Sequence, residues 1–167
     1  PVVVALPEDM LSDVSEASVL QPVPPAHFAP SADNMRDFRA LLQNAKRPLA
    51  IIGGASWTEE SIRHFAAFCK AAQIPVAASF RRQDAFPNDH ECYAGPLGTT
   101  VDARLIKAVE EADVILAVGT RLGEIATQGY TIIKPPIPAQ KIIHVYPEAS
   151  ELNKVYRAAL AIHSSVE

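Results

Sequence analysis

Three short turns in this 167-residue chain carry the residue types that hold phosphate groups. Gly53-Gly54 closes the apolar run that begins at Pro48, Leu97-Gly98 sits within Gly95-Pro-Leu-Gly98, and Gly119-Thr120-Arg121 closes the run that begins at Ala112. Glycine at such a turn lets an anion approach backbone N–H groups, and a helix starting there adds the positive end of its dipole. Thr120 would add a hydroxyl, and Arg121 a planar cation able to grip a phosphate through two parallel hydrogen bonds. Each feature also has a plainer reading. Glycine serves strand-to-helix turns for geometric reasons alone, and Arg121 is equally able to close an ion pair with Glu124 or another acid. Arg81 and Arg82 also follow an apolar run, so either one faces the same crevice or one is solvated and the other paired.

No self-contained catalytic set accompanies these turns. The chain has no G-x-S-x-G elbow and no H-E-x-x-H pair. Its histidines (27, 64, 90, 144 and 163) are scattered without metal-ligand spacing, and Asp89-His90-Glu91 reads as a surface loop. His144 lies within an apolar run and reads as a core histidine. Cys69 and Cys92 have no C-x-x-C spacing, which argues against zinc and suits a reducing cytoplasm. A stand-alone Rossmann-like dinucleotide-binding domain would need G-x-G-x-x-G and an acid about twenty residues further on. Gly53-Gly54-Ala55 does not supply that pattern, nor the lysine of a P-loop.

Strands and helices can be read on either side of these turns. Leu49–Ile52, Val76–Phe80, Val114–Val118, Lys141–Tyr146 and Leu160–His163 are short and apolar, as strands buried on both faces are. Between them, Met35, Phe38, Leu41, Leu42 and Ala45 recur at helical spacing within 31–46, and Ile62, Phe65, Ala66 and Cys69 share a face of a second helix. Ser56 and Glu59 form a capping-box pattern for that second helix. A third helix is expected to run from a cap at Thr99 to Glu111, and a short one to start near Glu148. Alternating strands and helices imply an α/β fold, a doubly wound, mainly parallel sheet of five or six strands with helices on both faces. Pro1–Leu6 reads as a further strand. Pro7, Pro22, Pro24, Pro25 and Pro30 make residues 7–30 an extended linker, so the compact unit is expected to be 31–167.

Bulk properties narrow the class. A length of 167 residues is one domain's worth, and 49% hydrophobic against 20% charged residues is ordinary for a globular chain. A net charge of -4 gives no reason to expect nucleic acid or an anionic membrane as partner. No apolar run approaches the roughly 20 residues of a membrane helix. A start in mid-run without Met, and an end at Glu167 without a cap, are expected of a segment of a longer polypeptide.

Taken in order, the motifs resemble a known family. Pro1-Val-Val-Val-Ala-Leu-Pro-Glu-Asp9 is similar to the strand and exit that close the pyrimidine-binding domain of thiamine-diphosphate enzymes. Lys46–Gly54, Ile74–Ala77, Ala85–His90, Gly95–Gly98, Ala112–Leu122 and Lys141–Val145 resemble, in the same order, the central domain of the acetolactate synthase group. The resemblance covers nearly the whole chain and implies a six-stranded doubly wound central domain. It implies a parent enzyme of three domains, homo-oligomeric and cytoplasmic, whose other two domains bind thiamine diphosphate and Mg²⁺. The glutamate and the G-D-G…N motif that do so have no match here.

In that family the central domain binds FAD in some members, an adenine nucleotide such as ADP in a coenzyme A-dependent branch, and nothing in others. By resemblance, Gly53, Gly54, Leu97, Gly98, Gly119, Thr120 and Arg121 match the positions that line the nucleotide. The sequence departs from the FAD-binding pattern at Tyr146, where an acid is usual, and at Ser164-Ser165, where a Gly-Asp pair is usual. Leu122-Gly-Glu-Ile also follows Arg121 in place of Asp-Asp-Arg. These departures favour a structural and interface domain without activity of its own over a working FAD- or ADP-binding module.

Overall fold

The computed structural model describes residues 3–24 and 26–166. Its centre is a six-stranded sheet of β1 (Pro48–Ile52), β2 (Val76–Ala78), β3 (Tyr93–Pro96), β4 (Val114–Val118), β5 (Lys141–Tyr146) and β6 (Leu160–His163). The strands lie in the order β3-β2-β1-β4-β5-β6, and every neighbouring pair is parallel. Helices α1 (Ala32–Gln43), α2 (Glu59–Ala72) and α3 (Ala103–Glu111) complete the regular elements.

Strand side chains alternate between two apolar layers, as the two-residue period of a strand requires. Leu49, Ile51, Ile115, Ala117 and Ile142 pack beneath α3 and the irregular segment that carries Leu122, Ala126 and Ile133. Ala50, Ile52, Leu116, Val118, Ile143 and Ile162 pack beneath α1 and α2. The sheet is therefore covered on both faces, the doubly wound arrangement expected from the alternation of elements. At its amino end, the Asp113 carboxylate accepts hydrogen bonds from the N–H groups of Lys46 (2.6 Å) and Arg47 (2.9 Å). Burial pushes this carboxyl up, but those amide hydrogen bonds prevail and hold it below the usual carboxylate range. One side chain thus ties the entry of β1 to the entry of β4.

Several local expectations need correction. The capping box of α2 is formed by Thr58 and Ser61, not Ser56 and Glu59. Ser56 has φ 72°, whereas an N-cap residue needs extended backbone, so the cap falls two residues later. Helix α3 is capped by Asp102, whose carboxylate accepts from the Arg104 N–H, and not by Thr99. Gly95 and Pro96, expected in a turn, belong to edge strand β3, where a proline costs no central ladder bond. Strand β2 stops at Ala78 rather than Phe80. The helix expected near Glu148 is a single 3₁₀ turn, Ala149–Glu151. Val3–Leu6 form no strand and are exposed, while Pro1 and Val2 lie outside the described residues. Within the linker, Glu8–Ser12 make a 3₁₀ turn, and Pro25 is likewise outside the description. Ser31 caps α1 through a capping box with Asn34.

Candidate functional site

The strand order reverses between β1 and β4, and at such a switch point an open α/β sheet presents its crevice at the carboxyl ends of the strands. Gly53-Gly54 leaves β1 there and Gly119-Thr120 leaves β4. Ladder bonds continue into both turns: the Gly53 N–H donates to Val118 O (3.1 Å) and the Gly119 N–H to Val145 O (2.9 Å). Gly54 and Gly119 both lie in the left-handed region, at φ 74° and 67°. A Cβ on Gly54 would collide with the Gly119 carbonyl oxygen, and a Cβ on Gly119 would lie 2.5 Å from Gly53 O. Each turn fills the space that the other's missing side chain leaves. A Cβ on Gly53 would meet the Cβ atoms of Ser79 and Thr120, at 2.8 and 3.1 Å.

The polar groups around this crossing bond to one another. Thr120 is 4% exposed. Its hydroxyl donates to Ser79 Oγ (3.3 Å) and accepts from the Leu122 N–H (3.2 Å). Its carbonyl takes a hydrogen bond from His144 Nε2 at 2.9 Å. The Trp57 indole N–H donates to Gly53 O (2.9 Å), which fixes the start of α2 against the first turn. Gly98 O accepts from Gln128 Nε2 at 2.6 Å, and a Cβ at Gly98 would meet the Phe80 ring at 3.2 Å. Leu97 is fully buried in the core, its N–H bonded to Ala78 O.

Arg121 is placed differently. Its side chain is 64% exposed and bonds Glu151, with Nε 3.3 Å from Oε2, while the guanidinium carbon lies 5.8 Å from the Tyr146 ring centre. Its acid is thus Glu151 rather than Glu124. It lines a cavity that none of the other six predicted residues lines. Arg82 pairs with Asp84, and Arg81 stacks over Phe80 at 5.0 Å. The structure therefore brings Gly53, Gly54, Gly119 and Thr120 together, makes Leu97 a core residue, and points the one expected phosphate-gripping cation at an acid.

Residues that sequence reasoning did not select hold these turns: Ser79 and Trp57 at the crossing, and Gln128 at Gly98. Only Trp57, the single tryptophan, carried any signal. An open apolar groove of about 560 Å³ lies beside it, with Leu116, Val118, Val145 and Ile162 among its lining residues and Phe38 and Phe65 at its sides. Among the described residues, no group of three or more His, Cys, Asp or Glu is placed to hold a metal ion. No helix among them is long and apolar enough to cross a membrane. His144, 3% exposed, is the core histidine expected from its strand.

Fold and switch point together define the class: a doubly wound, Rossmann-like α/β domain. Within that class, the chain belongs to the family of thiamine pyrophosphate enzyme central domains, whose model matches residues 35–167. It is 30% identical to a sulfoacetaldehyde acetyltransferase of Rhodobacter capsulatus over 163 residues, 96% of this chain and 28% of that protein. It is 28% identical to the acetolactate synthase isozyme 1 large subunit of Escherichia coli, over all of this chain and 29% of that protein. With the acetolactate synthase large subunit of Haemophilus influenzae it shares 25% identity, over 97% of this chain and 29% of that one. The chain spans less than a third of the length of these curated relatives.

Proposed function

We propose that this chain serves as the structural central domain of a thiamine-diphosphate enzyme that makes or breaks a C–C bond beside the carbonyl of a 2-keto acid or a similar substrate. Family membership and the names of the relatives support the class of the parent. One observation carries the structural role: the Gly53-Gly54 and Gly119 turns close on each other, so the glycines that would admit a nucleotide are used for backbone packing. The Thr120 hydroxyl donates to Ser79, and the Gly53 and Gly119 N–H groups donate to the Val118 and Val145 carbonyls, so these donors are already spent within the protein. These residues do not fit an FAD or ADP diphosphate.

Thiamine diphosphate and Mg²⁺ would be held by the other two domains of the parent, where the cofactor supplies carbanion stabilisation. This domain's part is to hold those domains in register within a cytoplasmic homo-oligomer. Its surface suits that work. Val14, Val19, Leu20 and Val23 of the linker are almost wholly exposed, and the groove beside Trp57 is apolar; both would gain by burial against neighbouring domains.

The test is turnover of pyruvate by the full-length protein with and without thiamine diphosphate and Mg²⁺, beside residues 1–167 alone. Cofactor-dependent consumption by the full-length protein and none by the chain is the expected result. Turnover that is independent of thiamine diphosphate would overturn the assignment.

A further inference from the structure

The cavity that Arg121 lines has a volume of about 220 Å³, and Tyr130, His144, Glu151, Lys154 and Tyr156 complete its working surface. At its mouth Glu151 is held from both sides. Arg121 Nε lies 3.3 Å from Oε2 and Lys154 Nζ 2.9 Å from Oε1, with both cations more than half exposed. Two positive charges against one negative leave the mouth with one net positive charge.

The base of the cavity is different in kind. His144 is buried, and its Nε2 lies 2.9 Å from Thr120 O, which can only accept. The ring therefore carries its proton on Nε2, and Nδ1 is left as an acceptor. Among the described residues no group donates to Nδ1, and no sealed side-chain nitrogen or oxygen lacks a partner, so Nδ1 opens onto the cavity. Burial disfavours the charged ring and holds the imidazole below its usual range, against smaller opposing pulls from Thr120 and Glu151. The Tyr156 hydroxyl is committed to Ile133 O (3.1 Å) and does not compete for Nδ1.

We propose that this cavity binds a small singly charged oxyanion that carries an O–H group, its charge met by Arg121 and Lys154 at the mouth and its hydroxyl donating to His144 Nδ1. A short 2-hydroxycarboxylate has this chemistry, and so does dihydrogen phosphate. The site adjoins the crossing of the glycine turns through the His144–Thr120 bond but does not depend on the role proposed for those turns.

Glycolate and acetate separate the two halves of the recognition, because they carry the same charge and differ by the hydroxyl. Titrating the chain by calorimetry, with the His144 imidazole followed by NMR, should show glycolate binding at least about tenfold tighter than acetate, the value of one well-made hydrogen bond. The His144 resonances should move on saturation. Lys154→Ala, an exposed change that leaves the core untouched, should weaken glycolate at least about fivefold at an unchanged melting temperature. Phosphate that displaces glycolate with the same Lys154 dependence would support the site and make the phosphoryl form its better ligand. Equal binding of glycolate and acetate, an unmoved His144 signal, or indifference to Lys154→Ala would each overturn the proposal.

Discussion

Gly119→Ala is expected to destabilise the chain by about 4 kcal/mol, the sum of a left-handed backbone strained by roughly 1–3 kcal/mol and overpacking of similar size. The overpacking has an identified cause: the new Cβ would sit 2.5 Å from the Gly53 carbonyl oxygen, a backbone atom that cannot turn aside. Gly54→Ala meets the reciprocal obstacle at Gly119 O. For a domain of this size such a loss lowers the melting temperature by roughly 10 °C. Gly129→Ala is the control. Gly129 has the same φ of 67° but nothing within 4 Å of its Cβ position, so it bears only the strain, about 1 kcal/mol. Urea denaturation of the three variants measures the difference. Equal, small losses at positions 119 and 129 would show that the turns can part, and that the crossing has room for a ligand.

His144→Ala should cost about as much, for another reason. Removing the ring empties a site that is only 3% exposed, and it leaves the Thr120 carbonyl without its donor. A cavity of that kind costs about 2 kcal/mol or more, and an orphaned buried acceptor about 1–3 kcal/mol. The variant should also lose a pH dependence. Burial depresses the folded-state pKa of His144, so the unfolded chain takes up the proton more readily. The associated stability is complete above the unfolded value of about 6.5 and drains away as pH falls below it towards the folded value. Unfolding free energies at a series of pH values between about 7.5 and 5 should therefore fall more steeply in the wild type than in His144→Ala. Parallel curves would mean that His144 does not sense its buried surroundings.

The fold was legible because buried parallel strands announce themselves. Val114–Val118 is an unbroken apolar run and Lys141–Tyr146 a mostly apolar one, and their boundaries coincide with those expected. Edges and caps were harder to read. Tyr93-Ala-Gly-Pro96 has a turn's composition and becomes a strand because β2 offers it a free edge, a tertiary circumstance with no local signature. The cap of α2 moved to Thr58 because Ser56 adopts a left-handed turn beside the Gly53-Gly54 exit. The candidate site was half legible. The glycines stand where the sequence puts them, but their reason lies in a contact between residues 65 apart in the chain, which no window can show. The Arg121 partner depends likewise on the turn at Ala149–Glu151, which brings Glu151 back over the end of β4.

Titration of the folded chain with FAD, ADP and coenzyme A under native mass spectrometry decides whether the switch point is closed by its own backbone. The expected result is no one-to-one complex with any of the three up to about 100 μM, a concentration that would reveal any site of useful affinity. A stoichiometric complex below that concentration, lost in Gly119→Ala while that variant remains folded, would contradict it and make the crossing a working nucleotide site.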